Sequence, residues 1–333
     1  MRSFYEQGIY HTGMDPEQAD EMCNQAIMYM VGTGGGEKKP EDAARLFSAV
    51  AEEGYPQGIF GFAEVLMVGF GVPKDSELAM ELYEKAATMG YGEAHYRLGM
   101  IHTGDYGFPS DPEASFKHFE AAAEAGIIMA YAFMAQYNFH GYGTEKNMEE
   151  SFKWFSKSAT EGNDPVSKFM TGYMYEEGIG TEKDEAKAYE MFELSADAGV
   201  PEAVMKMADL AYTGKIPGGT ETSFKWYSKA AKMGITSAKV SLGTLYYEGN
   251  GVPKDLEMAY KNYSEASEEG DPDASFIKGR MEIQGYGIES DFEKALKSMS
   301  KAAEQGSEEA KQVLNQLRKA QNVQLVQIDD AEE

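Results

Sequence analysis

This sequence predicts an all-α fold, a right-handed α-α superhelix of about eight helix-turn-helix repeats closed by a C-terminal capping helix, on three observations. Glycines recur almost evenly at Gly54, Gly90, Gly126, Gly162, Gly199, Gly234, Gly270 and Gly306, each ending a segment rich in Ala, Tyr and Phe. Their interval of about 36 residues is one at which a small helical unit, unable to bury its own apolar face, stacks on copies of itself. Within each interval, small and bulky residues recur at helical spacing on either side of a glycine-rich turn.

The elements follow in order. Residues 1–16 form an N-terminal lead-in. Residues 17–306 hold the repeats, running Glu17 to Gly54, Tyr55 to Gly90, Tyr91 to Gly126, Ile127 to Gly162, Asn163 to Gly199, Val200 to Gly234, Ile235 to Gly270 and Asp271 to Gly306. Residues 307–322 read as an amphipathic capping helix, with Ala310, Val313, Leu314 and Leu317 on one side to cover the end of the stack. Residues 323–333 are an acidic tail, read either as disordered or as a short strand that meets a partner.

The first helix of each repeat carries a small residue at one place: Ala26, Ala63, Gly99, Ala135, Gly172, Ala208, Gly243 and Gly279. The second helix supplies the matching bulk: Phe47, Tyr83, Phe119, Phe155, Phe192, Tyr227, Tyr263 and Met299. Large against small lets two helices approach to the lower end of the usual interaxial range of about 8–10 Å. Small pairs such as Ala86 and Ala87 or Ala122 and Ala123 then suit contact with the next repeat. Between the helices lies a turn, clearest as Gly69-Phe-Gly71-Val72-Pro73-Lys74-Asp75, whose glycines can take positive φ and whose Asp can cap the second helix. The closing glycines fit left-handed helix ends.

Composition narrows function. The chain has 333 residues with even texture throughout, which favours one elongated domain, and 56 acidic against 30 basic residues give a charge of −26. Such a surface repels phosphate backbones and anionic headgroups, excluding nucleic acid and membrane surfaces as partners and leaving basic or apolar ones. Cys23, the single cysteine, excludes an intramolecular disulfide framework and reads as a small core residue. The first 20 residues lack the apolar run of a signal peptide, and later apolar runs are too short to span a bilayer, so a soluble cytoplasmic protein is expected.

Catalytic and metal chemistry find no constellation. His11, His95, His102, His118 and His140 never give a two-His metal spacing with a third ligand, although His95 and His102 could share a helix face. The run GTGGGEKKP at 32–40 lacks the Lys-Ser or Lys-Thr of a phosphate loop, and the triplet Asn262-Tyr-Ser264 falls inside a predicted helix. No catalytic residue, metal ligand or cofactor is assigned.

At this point the residues resemble the Sel-1-like repeat family, relatives of the tetratricopeptide repeat. In the copy from Ile235 to Gly270 the family pattern reads Ala238, Leu242-Gly243, Tyr246, Gly249, Gly251-Val252, Lys254-Asp255, Ala259, Tyr263, Ala266 and Gly270. Departures are local: the extended turn Gly32-Thr-Gly-Gly-Gly36, the sixth-repeat turn Gly214-Lys-Ile-Pro217-Gly-Gly219, and Lys278 where Leu is usual. The resemblance implies a non-enzymatic scaffold or adaptor binding a protein or peptide. It also implies an alternative, an exported penicillin-like ligand binder or hydrolase of the cell envelope, for which this chain lacks the paired cysteines.

By analogy with tetratricopeptide arrays, the concave face is lined by first-helix residues outside the packing set. One row reads Cys23, Phe60, Tyr96, Ala132, Phe169, Met205, Val240 and Phe276, and is either groove or inter-repeat core. A second reads Met30, Met67, Thr103, Phe139, Glu176, Tyr212, Tyr247 and Ile283. Between them lies a more polar row: Ile27, Glu64, Met100, Gln136, Tyr173, Asp209, Thr244 and Arg280. From these rows Phe60, Met67, Tyr96, Met100, Phe139, Phe169, Tyr173, Glu176, Met205, Tyr212, Tyr247 and Phe276 are the partner-binding candidates. The aromatics and methionines would anchor a peptide or helix while the acids guide Lys or Arg. Oligomeric state is left open.

Overall fold

The computed structural model describes residues 13–32 and 37–316. Among them every regular element is a helix and no strand occurs, so the protein is an all-α repeat fold. The lead-in up to residue 12, the turn at 33–36 and everything from residue 317, including the predicted end of the capping helix and the acidic tail, lie outside the described residues. The chain divides into two compact units, Met1–Lys183 and Asp184–Glu333, and the division falls between the two helices of the fifth repeat.

The N-terminal unit contains α1 (Pro16–Val31), α2 (Pro40–Glu52), α3 (Pro56–Val68), α4 (Ser76–Thr88), α5 (Gly92–Ile101), α6 (Pro112–Glu124), α7 (Met129–His140), α8 (Met148–Thr160) and α9 (Pro165–Glu177). The C-terminal unit contains α10 (Glu185–Asp197), α11 (Pro201–Tyr212), α12 (Gly219–Lys232), α13 (Thr236–Glu248), α14 (Leu256–Glu268), α15 (Pro272–Gln284) and α16 (Phe292–Glu304), followed by a helical run at 308–316 with Ala310 buried. Within each unit a helix packs on its sequence neighbours, as a stack of helix pairs requires.

The start signals act where the sequence puts them. Asp75, Asp111, Asn147, Asp184, Asp255 and Asp291 each accept from the backbone N–H three residues on, and Asp15, Asp164 and Asp271 do the same for α1, α9 and α15. Each satisfies a free first-turn donor and stabilises its helix by about 0.5–2 kcal/mol. The sixth repeat differs: Gly218 precedes α12 in a left-handed conformation with no side-chain cap. Seven of the eight closing glycines are left-handed, but in the fourth repeat Gly162 is not, and Asn163 takes φ 51° instead. Asn tolerates that region better than other residues with a Cβ, and its amide oxygen accepts from the Lys168 ammonium.

The large-to-small packing is realised directly. Phe47, Tyr83, Phe119, Phe155, Phe192, Tyr227, Tyr263 and Met299 are all buried. A Cβ placed on Gly99 would lie 2.8 Å from the Phe119 ring, so no larger residue fits without moving that ring. Two of these joints carry a further bond: Ser115 and Ser151 donate to the carbonyls of Gly99 and Ala135 at 2.8 and 2.9 Å, stitching the second helix to the small position of the first. The second turn glycine also makes a close approach. Cβ atoms on Gly71, Gly143 and Gly180 would each stand 2.0 Å from a carbonyl oxygen at the start of the preceding repeat's second helix, namely Pro40, Pro112 and Met148.

Candidate functional site

The first-row candidates belong mainly to the joints between repeats. Phe60 lies with its ring centroid 5.7 Å from Tyr83 and 5.4 Å from Tyr91, and Tyr96 lies 5.8 Å from Phe119 and 6.0 Å from Phe133. Cys23 is buried, and burial pushes its thiol up to about 11, as expected for a core residue rather than a reactive one. Phe169, Met205 and Phe276 are half-buried, as is Met100, which packs on the cluster around Phe119.

The second row divides. Met67 and Glu176 are buried, 9% and 7% exposed, so neither presents the surface expected of it: α3 turns Met67 into the core and α9 does the same with Glu176. Tyr212 is 43% exposed, and Tyr173 of the polar row 37%. Phe139 and Tyr247 are half-buried and carry Lys146 and Lys254 over their rings at 5.8 and 5.4 Å. The candidates thus fall into two sets, Phe60 to Glu176 in the N-terminal unit and Met205 to Phe276 in the C-terminal unit.

The acids of the polar row make contacts within the fold. Tyr83 donates to Glu64 at 2.7 Å, Tyr227 donates to Asp209, and the hydroxyls of Tyr263 and Thr244 meet at 2.9 Å. In each of the three repeats whose bulky residue is Tyr, the polar row thus supplies a partner for its hydroxyl. Where that residue is Phe, the row is apolar in repeats one and three, with Ile27 and Met100, and polar in repeats four and five, with Gln136 and Tyr173. This pairing spans 18 or 19 residues and engages the carboxylates of Glu64 and Asp209 within the fold.

Burial, together with the neighbouring carboxylates of Glu64 and Asp209, holds Tyr83 and Tyr227 well above the ordinary tyrosine range, and burial also raises Tyr263. A folded value above the unfolded one, about 10, means that the native state keeps these protons when the unfolded chain gives them up. Their stabilisation is therefore complete below pH about 10 and declines as pH rises further. Urea midpoints taken across that range should fall on the alkaline side, and a flat profile would refute the coupling.

Sequence reasoning missed one exposed row. The residue before the second glycine of the turn is aromatic in several repeats, and Tyr106, Tyr142 and Tyr286 are 40%, 54% and 36% exposed. Tyr142 stacks on His140 at 5.1 Å and meets Tyr137 edge-on at 6.0 Å, while Tyr286 lies 6.1 Å from Tyr247. These turns extend the first-helix surface at the C-terminal ends of the helices, and the signal was the repeated aromatic between two glycines.

His95 and His102 do come together, with His118 between them: His95 Nδ1 and His118 Nδ1 are 3.1 Å apart, and the His102 ring stacks on His118 at 5.6 Å. Burial, then the two neighbouring rings, push His118 down to about 4, so His118 packs between them as a neutral imidazole. Among the described residues no group of three or more His, Cys, Asp or Glu is placed to hold a metal, and no helix is long and apolar enough to cross a membrane.

Comparison with known proteins agrees with this architecture. The Sel1 repeat family model matches residues 22–55, 59–91, 92–127, 128–163, 165–200, 201–235, 236–271 and 279–307. The chain belongs to the Sel1 repeat family. As a Sel1 repeat protein it is similar to c5321, described as a protective antigen present in uropathogenic Escherichia coli strains and displaying an SLR fold. The two share 27% identity at a TM-score of 0.77, over 90% of this chain and 66% of c5321, so this chain spans slightly less than two thirds of that length. It is also similar to a Sel1 repeat protein from Oxalobacter formigenes, with 25% identity and a TM-score of 0.63 over 95% of this chain and 92% of that one. Sel1 repeat proteins generally mediate protein–protein interactions, and their scaffolds are typically non-enzymatic.

Proposed function

We propose that this Sel1 repeat chain is a non-enzymatic, cytoplasmic interaction scaffold whose partner, a protein or peptide, binds along the exposed first-helix and turn surface. The observation that carries this reading is the recurrence, in each unit, of exposed aromatic residues on first helices, Tyr173 and Tyr212, and on the turns that follow them, Tyr106, Tyr142 and Tyr286. An aromatic side chain brings large apolar area with few rotatable bonds, so each well-buried anchor contributes about 1.5–3 kcal/mol and a few suffice for micromolar binding. A buried lone cysteine agrees with a reducing compartment.

The test is recovery of partners from the native cell by the full chain and by a variant carrying Tyr142→Ala, Tyr173→Ala and Tyr212→Ala, with helicity checked by circular dichroism. These residues are exposed, so the fold should survive while at least one partner is lost. Unchanged recovery of every partner would remove this surface from the function.

A further inference from the structure

One recess on the first-helix surface of the N-terminal unit has a composition unlike the chain as a whole. Glu64, Met67 and Val68 of α3, Arg97 and Ile101 of α5, and the side chains of Lys74, Tyr83 and Tyr106 enclose about 370 Å³, within the usual size range of ligand sites. Its one carboxylate is already engaged by three donors. Arg97 Nε and one terminal nitrogen grip the two oxygens of Glu64 at 2.7 and 2.8 Å, and Tyr83 donates to the first oxygen at 2.7 Å.

The cations are not saturated. The other terminal nitrogen of Arg97 has only a long contact, 3.4 Å, to the Tyr106 hydroxyl. Lys74 is exposed, and no carboxylate among the described residues pairs with it. In a protein of charge −26, the Arg97–Glu64 pair cancels within this recess and Lys74 is left as its one unmatched charge, a net +1, beside the free N–H edge of Arg97. The same recess offers one open apolar side chain, Val68, 67% exposed, above a floor formed by the buried Met67 and Ile101.

We propose that the recess between the second and third repeats binds an acidic, aliphatic segment of a partner polypeptide, one carboxylate lying between Lys74 and the free edge of Arg97 and the adjacent aliphatic side chain on Val68. This rests on the scaffold reading and names the chemistry of its partner at one place. A monoanionic carboxylate fits better than a phosphate dianion, because it matches the single unpaired positive charge of the recess in a chain that is otherwise strongly acidic. The general negative charge of the chain does not prevent the contact: at physiological salt, repulsion beyond about 8 Å is largely screened, whereas a contact pair in a recess is screened much less.

The test measures fluorescence anisotropy of the full chain with three labelled peptides of alternating Leu and Asp, Leu and Asn, or Leu and Lys. The Leu/Asp peptide should bind about tenfold tighter than the Leu/Asn peptide, and Lys74→Glu should abolish that preference. Lys232→Glu, in the C-terminal unit, should leave it unchanged. Tighter binding of the Leu/Lys peptide, no effect of Lys74→Glu, or no binding of the Leu/Asp peptide would overturn the inference. Equal binding of all three peptides, lost on Tyr142→Ala with Tyr173→Ala, would overturn carboxylate selection while leaving the scaffold surface standing.

Discussion

Replacing Gly143 with Ala should lower the stability of the N-terminal unit by about 2–4 kcal/mol, while Gly107→Ala at the equivalent turn position should remove only about 1–2 kcal/mol. Both glycines are left-handed, with φ 61° and 83°, so both substitutions meet the same backbone penalty. They differ in surroundings. A Cβ on Gly143 would stand 2.0 Å from the Pro112 carbonyl oxygen, whereas nothing lies within 4 Å of one on Gly107. The added loss at Gly143 measures how firmly the turn of one repeat is pressed against the second helix of the repeat before it. Urea unfolding of the two variants reads the difference directly, and equal midpoints would show that the turn can move away without loss.

Glu64→Ala should remove about 2–3 kcal/mol, because it strands both the Arg97 guanidinium and the buried Tyr83 hydroxyl. The pair is about a quarter exposed, 28% for Arg97 and 24% for Glu64, so the loss stays below that of a fully buried pair. Coupling decides the point: in an Arg97→Ala background, Glu64→Ala should be less damaging by about 1 kcal/mol or more. Additive losses would mean that the bidentate contact contributes nothing of its own.

Much of the fold was legible because its determinants are local and repeated. The small positions, the bulky positions and the Asp caps each stand at a fixed place in the period, and a helix pair converts fixed spacing into fixed contact. The surface was less legible. The rows were drawn from helical periodicity, which gives the direction of a side chain from its own helix but not what the neighbouring repeat lays over it. Met67 and Glu176 share a row with Tyr212, yet the first two are covered and the third is not. The Glu64 carboxylate looked available because its partners, Tyr83 and Arg97, lie 19 and 33 residues further on.

The sequence alone determined that this protein is a run of eight Sel1-type helix pairs, because a repeat period, a left-handed glycine and an Asp cap act within a few residues of one another. Only the tertiary structure decided which carboxylates accept from tyrosine hydroxyls, which rows remain at the surface, and that Lys74 and Arg97 line one recess between the second and third repeats. Burial and ion pairing depend on atoms brought together from different repeats. No count along the chain specifies how closely those atoms approach.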